Sequence, residues 1–244
     1  MTDQLLAELR KMRSTRTNLG LLAGMVALVL LTVLLNGLIG KEAELADLTN
    51  QFTVLSAGTS AALFAALIGV MAITSEFRHG TIRPTFVVTP HRSRVLAAKV
   101  IASVLMGLLF GIAAIGISFG LGYAILSGRG IPFELATGDV LWLVLGTPVL
   151  TAAWAALGVG FGALVRNQVL AVIGLVVWAL VVDNLLRGLV PAVGGYTPSG
   201  ASAAIIADPA DYVLSARAGG LLLLAYVAGM VAAGGFLVAR RDVT

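Results

Sequence analysis

Six stretches of about twenty mainly apolar residues dominate this chain and limit what it can fold into. They run from Leu19 to Ile39, Thr53 to Thr74, Val100 to Leu126, Val140 to Val165, Val169 to Val190 and Ala218 to Ala239. A helix rises 1.5 Å per residue and the hydrocarbon core of a bilayer is about 30 Å thick, so each stretch is long enough to cross once. Inside hydrocarbon the backbone must satisfy its own N–H and C=O groups, which favours helices over loops or open strands. The expected fold is all-α: a polytopic membrane protein forming a single transmembrane domain over residues 1–244. Basic residues precede the first stretch, as in a signal peptide. Its apolar run is too long for such a peptide and no convincing small-residue cleavage site follows, so it reads as a retained helix.

Composition agrees with lipid as the main solvent. Only 11% of the 244 residues are charged, 59% are hydrophobic, and the mean hydropathy is +1.00. A soluble domain carries about a quarter charged residues, far more than this chain could place on its surface. The absence of cysteine excludes disulfides and thiolate metal sites.

Lysines and arginines set the expected orientation. With the N-terminus inside, the cytoplasmic segments hold Arg10, Lys11, Arg13, Arg16, Arg78, Arg83, Arg92, Arg94, Lys99, Arg166, Arg240 and Arg241, which is 12 of the 16 basic residues. The outer segments hold Lys41, Arg129, Arg187 and Arg217. An even number of spans puts both termini in the cytoplasm, in a multi-pass protein of the inner (cytoplasmic) membrane. The pI of about 9.9 then reflects a basic cytoplasmic face, with no case for nucleic-acid binding.

Three segments break the plain pattern of spans and turns. Residues 1–17 are amphipathic: Leu5, Leu6, Leu9 and Met12 recur at helical spacing, with Glu8, Arg10, Lys11 and Arg13 between them. A basic amphipathic helix before a span is expected to lie in the membrane interface, with Leu5, Leu9, Met12 and Arg13 as its anchoring residues.

The second segment, 75–99, is a cytoplasmic loop with organised local signals. Gly80 can end the second span in a left-handed cap, and Pro84 suits the first turn of a short helix. Phe86, Val87 and Val88 would give that helix an apolar patch in a charged, water-facing loop, which points to a docked partner. Thr89 and Pro90 form an N-cap and first-position pair that would launch the third span.

The pattern Glu76-x-Arg78-x-Gly80-Thr81, then Pro90-x-Arg92-x-Arg94, then Lys99, resembles the first cytoplasmic loop of ABC-2 type permeases, the membrane subunits of ATP-driven exporters. The amphipathic N-terminal helix, six spans and long outer segment between spans five and six are similar to that family as well. The resemblance implies that this loop contains a coupling helix docking on a separate ATPase subunit through Glu76, Arg78, Gly80, Thr81, Phe86, Pro90, Arg92 and Arg94. It also implies a second permease subunit, identical or homologous, beside this one in the bilayer. Family loops commonly have leucine-rich positions where this chain has Pro84-Thr85-Phe86.

The third segment, 191–217, is expected outside and is unusually apolar, with three glycines and two prolines before an alanine–isoleucine run. It can dip into the bilayer if its backbone groups are buried in protein, and the family is similar here in having re-entrant helices. A compact outer loop with one short helix fits the residues equally well.

Several chemistries find no support. There is no Gly-x-x-x-x-Gly-Lys-Ser/Thr phosphate loop, no His-Glu-x-x-His and no Gly-x-Ser-x-Gly. His79 and His91 lack further ligands, so no metal site or cofactor is expected, and ATP hydrolysis would belong to a partner. Among spanning residues, Asp183 is the main ionisable one, with Asn184 and Arg187 beside it; these three are the candidate pathway or outer-interface residues. Asp183 lies 17 residues from Arg166, about 25 Å along the helix, which puts it near the outer interface and in reach of an i,i+4 pair with Arg187. A proton relay calls for several carboxylates at depth. Glycines four apart (Gly20/Gly24, Gly107/Gly111, Gly116/Gly120, Gly158/Gly162) would let helices approach closely.

The expectation is therefore a permease subunit that couples ATP hydrolysis elsewhere to export of an amphiphilic or hydrophobic substrate such as a drug, antibiotic or lipid. The alternatives are a stand-alone secondary transporter, which should hold ion sites near the midplane, and a non-transporting membrane scaffold or immunity protein.

Overall fold

A computed structural model describes residues 2–81, 84, 92–209 and 213–240. It is 87% helical, with no strand among the described residues. After an N-terminal helix α1 (Thr2–Ser14), six helices are long and apolar enough to cross a membrane: α2 (Arg16–Ile39), α3 (Leu48–Arg78), α4 (Arg92–Gly128), α5 (Thr137–Val165), α6 (Gln168–Leu189) and α8 (Ala216–Arg240). The short α7 (Pro198–Ile205) lies between α6 and α8. Arg83, Phe86, Pro90, His91 and Arg241 fall outside the described residues, as does most of the segment read as a short helix after Pro84.

The described helix α3 starts earlier than the apolar run from Thr53 suggests. The Asp47 carboxylate accepts the Thr49 backbone N–H at 3.0 Å and caps a polar first turn. Residues 56–60 then tighten into a 3₁₀ turn that packs Gly58 onto α4; a Cβ there would come within 2.8 Å of the Ala114 backbone. Helix α2 ends in a π turn at Leu35–Ile39, and Arg129 from the end of α4 donates to the Gly37 and Gly40 carbonyls at 2.7 and 2.8 Å. These otherwise unpaired carbonyls would be costly to leave bare.

Helices α3 and α5 form the buried centre, with α4 against both and α2, α6 and α8 at the periphery. Glycine decides how close the central pair comes. A Cβ on Gly158 of α5 would collide with the carbonyl of Ala66 in α3, and one on Gly69 of α3 with the carbonyl of Ala155 in α5. Gly107 and Gly111 bring α4 onto Thr151 and Pro148 of α5 in the same way. Gly20, Gly116 and Gly120 face open space instead.

Helix α7 lies beside the bundle's middle rather than beyond its end. It packs on α5 and α8, and nearly all of it is buried. Its Ser202 hydroxyl accepts the indole N–H of Trp154 at 2.9 Å. Trp154 stands 11 residues before Val165, where α5 ends, or about 17 Å from that end at 1.5 Å per residue. Thr197 caps α7: its hydroxyl accepts the Gly200 N–H at 3.1 Å and donates to the Gly194 carbonyl at 2.7 Å. A non-spanning segment at this depth needs such internal pairing.

Candidate functional site

Four charged side chains meet where α1, the end of α3 and the start of α4 converge. Glu8 comes from α1 on the same face as Leu5, Leu9 and Met12, one helical turn from each of Leu5 and Met12. Met12 is buried in the core and Leu5 and Leu9 pack against it, whereas Leu6 and Arg13 are exposed. Lys99 stands on the face of α4 that buries Val95, Leu96, Ala102 and Ser103, and is itself 1% exposed.

The four form a closed ring. Lys99 Nζ donates to Glu8 Oε2 at 2.9 Å and to Glu76 Oε1 at 2.7 Å, with its third hydrogen on the Ala72 carbonyl at 3.0 Å. Lys11 Nζ donates to Glu8 Oε1 at 2.8 Å and to the same Glu76 oxygen at 2.9 Å. An ammonium has three donors, and those of Lys99 are all used. Two positive and two negative charges alternate, so the ring is neutral and each buried charge has opposite neighbours. Partial burial lowers the pKa of Lys11, but hydrogen bonds and charge from Glu8 and Glu76 outweigh it and hold the ammonium above its ordinary 10.5.

The remaining loop flanks are tied to other helices. Arg78, the last residue of α3, donates to the Gln168 side chain at the start of α6 at 3.4 Å. Gly80 follows with φ +68°, a left-handed conformation that glycine adopts cheaply, and Thr81 is exposed beyond it. Arg92 opens α4 and donates to the Val238 carbonyl of α8 at 2.9 Å. Arg166, in the left-handed conformation that closes α5, donates to the Leu237 carbonyl at 2.5 Å and stacks over Phe77 of α3. Two guanidinium groups thus sit on the carbonyl end of α8, where the helix dipole favours cations. Arg94 is exposed on the first turn of α4.

The eight residues singled out from the loop therefore separate. Glu76 is buried within the ring, Arg78 and Arg92 bind other helices, and Gly80, Thr81 and Arg94 are exposed. Phe86 and Pro90 lie outside the described residues. The sequence reading missed the partnership of Glu8 with Lys99. Its signal was present: each charge sits at i,i+3 or i,i+4 spacing among apolar residues on a buried face.

At the opposite end, Asp183 is 2% exposed and its Oδ2 lies 3.6 Å from Arg187 Nε. It directly follows a π turn at Trp178–Val182, a distortion common at functional positions. Asn184 is exposed and donates back to the Leu180 carbonyl. A cavity of about 240 Å³ lined by Thr59, Ser60, Arg187, Ser199, Ser202 and Asp208 lies at this end. A larger cavity, about 530 Å³, opens between α5, α6 and α8 beneath the start of α7. Trp154 borders both. Among the described residues, no group of three or more His, Cys, Asp or Glu side chains converges to hold a metal.

Compared with known proteins, the chain matches no family model and no curated protein.

Proposed function

We propose that this chain is the membrane-embedded permease subunit of an ABC-2 type exporter, working with a separate ATPase subunit and a second permease subunit. The observation that carries the reading is the anchoring of the 75–99 loop. Its two flanks are bonded to α1 through the pairs Glu76–Lys11 and Lys99–Glu8, to α6 through Arg78 and to α8 through Arg92. A push on this loop would reach the N-terminal helix and two peripheral spans together, as a coupling loop driven by a neighbouring ATPase requires. The loop sequence from Glu76 to Lys99 resembles that of the family, and its basic residues support reading it as cytoplasmic. Few charges line the spans, which suits an amphiphilic or hydrophobic substrate.

The test is site-specific cross-linking. The chain has no cysteine, so Ser93→Cys gives a single thiol beside the loop. Co-expressed with a partner P-loop ATPase, that thiol should cross-link to the ATPase, and Phe86→Asp should abolish the cross-link while leaving insertion intact. A purified complex containing no ATPase, with no cross-link formed, would reject the reading.

One observation favours a second reading, a stand-alone secondary transporter. Asp183 is buried and its Oδ1 has no hydrogen-bond partner among the described residues, an arrangement suited to a carboxylate that takes up an ion or proton in transit. Ion-gradient-driven transport by the chain alone would establish it.

A further inference from the structure

We infer that the cavity between α5, α6 and α8 is a binding site for the alkyl chain of an amphiphile, entered sideways from the apolar surface of the bundle. The inference stands on the cavity alone and holds whether or not the chain exports what it binds.

The cavity exists because α6 and α8 each pack on α5 but not closely on each other. The starting turn of α7 and the residues before it close the gap at one end through Val193, Tyr196, Thr197 and Pro198. Its volume of about 530 Å³ falls in the range of small-molecule sites, roughly 300–1,000 Å³.

The wall chemistry selects the ligand. Trp154, Leu157, Phe161 and Leu175 form the inner surface. The polar atoms of three lining residues are already bonded within the protein. The Trp154 indole N–H donates to Ser202, the Tyr226 hydroxyl donates to the Tyr196 carbonyl at 2.8 Å, and the Thr197 hydroxyl both donates and accepts at the cap of α7. A water needs two to four polar partners to be held in a cavity, and apolar cavities stay dry. An apolar chain loses no hydrogen bond on entering such a space, and it supplies contacts to lining side chains that an empty void would leave without partners.

The rim shows where the cavity opens. Trp178 and Tyr196 line the cavity but are 41% and 51% exposed. Val181 and Leu185, three and seven residues beyond Trp178, continue an exposed apolar surface along α6. A chain lying on that surface can slide inward past Trp178.

The test uses tryptophan as a reporter in the full chain. Trp142, Trp154 and Trp178 are the three tryptophans, so Trp142→Phe with Trp178→Phe leaves only Trp154, which is 4% exposed. Bromine quenches indole on contact, and brominated chains outside the bundle would not touch this residue. In nanodiscs of dibrominated phosphatidylcholine, loss of most Trp154 fluorescence identifies a bilayer lipid as the source. In unbrominated nanodiscs, saturable quenching by a brominated alkyl maltoside, reversed by its unbrominated analogue, identifies a free amphiphile. Gly174→Leu should abolish either effect without lowering the thermal midpoint, because a Cβ there meets only the Phe161 ring, at ordinary contact distance, and a larger side chain then fills the cavity. If that variant does not fold, a chain whose sole tryptophan replaces Phe161 reads the space from the facing wall. Full Trp154 fluorescence with both quenchers, while the wild-type protein is quenched at Trp142 and Trp178, would overturn the inference. So would quenching that survives Gly174→Leu, or a Trp178→Cys cross-link between two copies that shields Trp154 from every probe.

Discussion

Glu76 Oε1 and Lys99 Nζ lie 2.7 Å apart although 23 residues separate them, so one buried ion pair closes the base of the loop between α3 and α4. Glu8 and Lys11 extend that pair into a ring and fasten α1 to the same base. The ring makes the N-terminal helix and both loop flanks one mechanical unit.

Removing one member leaves a buried charge without its counterpart, which costs about 3–5 kcal/mol. Lys99→Met should therefore lower the thermal midpoint sharply in detergent. Combining it with Glu8→Leu leaves the neutral pair Lys11–Glu76 and should recover much of the loss. A double-mutant cycle on unfolding midpoints measures this, and additive losses would show that Glu8 and Lys99 do not interact. The pH dependence follows from Lys11. Its pKa is raised in the fold, so its contribution is complete below the unfolded value of 10.5 and disappears only as pH rises through the higher folded value. Stability between pH 6 and 9, on the order of the usual working range, should not change on its account.

Close approach of α3 and α5 predicts a contrast among glycines. Gly158→Ala drives a methyl into the Ala66 carbonyl and should cost at least the 1–3 kcal/mol typical of overpacking. Gly120→Ala meets nothing within 4 Å and should be neutral, or stabilising by up to about 1 kcal/mol through helix propensity. Thermal unfolding of the two variants side by side is the check; equal effects would contradict the observed crossing.

Much of this architecture was legible in the residues, and what was not has identifiable causes. Hydropathy marks the spans because lipid demands about 20 apolar residues per crossing. It misplaced the start of α3, because Asp47 caps a turn that is still polar. Spacing alone treated Gly107, Gly116 and Gly158 alike, yet Gly116 faces open space; periodicity says which residues share a face and not which helix lies opposite. For the same reason Gly69, with no glycine partner four residues away, escaped notice. Arg92 and Arg166 looked like orientation signals, and their placement on the end of α8 depends on a contact more than 70 residues away for each. Lys99 was read as a loop boundary because a lysine within an apolar run is indistinguishable, without its partners, from one at the membrane surface.

Orientation can be tested by thiol labelling, given a chain without cysteine. Single cysteines at Ser14 and Ser93 should react only with reagent in the cytoplasm, and one at Ala46 only from outside. All three positions are exposed. Labelling of Ser93→Cys by an impermeant reagent in intact cells would reverse the assignment of faces.

Arg92 should act locally at the end of α8. Arg92→Gln removes a cation from the terminal carbonyls and should cost about 0.3–1 kcal/mol. Amide exchange over residues 236–240 should speed up, while exchange at the α3–α5 crossing stays unchanged. Uniform acceleration through the bundle would mean that Arg92 supports the whole fold instead.

The energy source is the most direct test of the proposed function. The chain has no phosphate loop of its own, and apart from the ring residues Glu76 and Lys99, Asp183 is the main buried ionisable residue of its spanning helices. Purified chain should be reconstituted into vesicles with an amphiphilic dye, first alone and then with a partner ATPase subunit. Dye movement should appear only when ATPase and ATP are both supplied, and should survive Asp183→Asn with at most a several-fold loss. Dye movement driven by an ion gradient through the chain alone, abolished by Asp183→Asn, would contradict the permease reading and establish a secondary transporter.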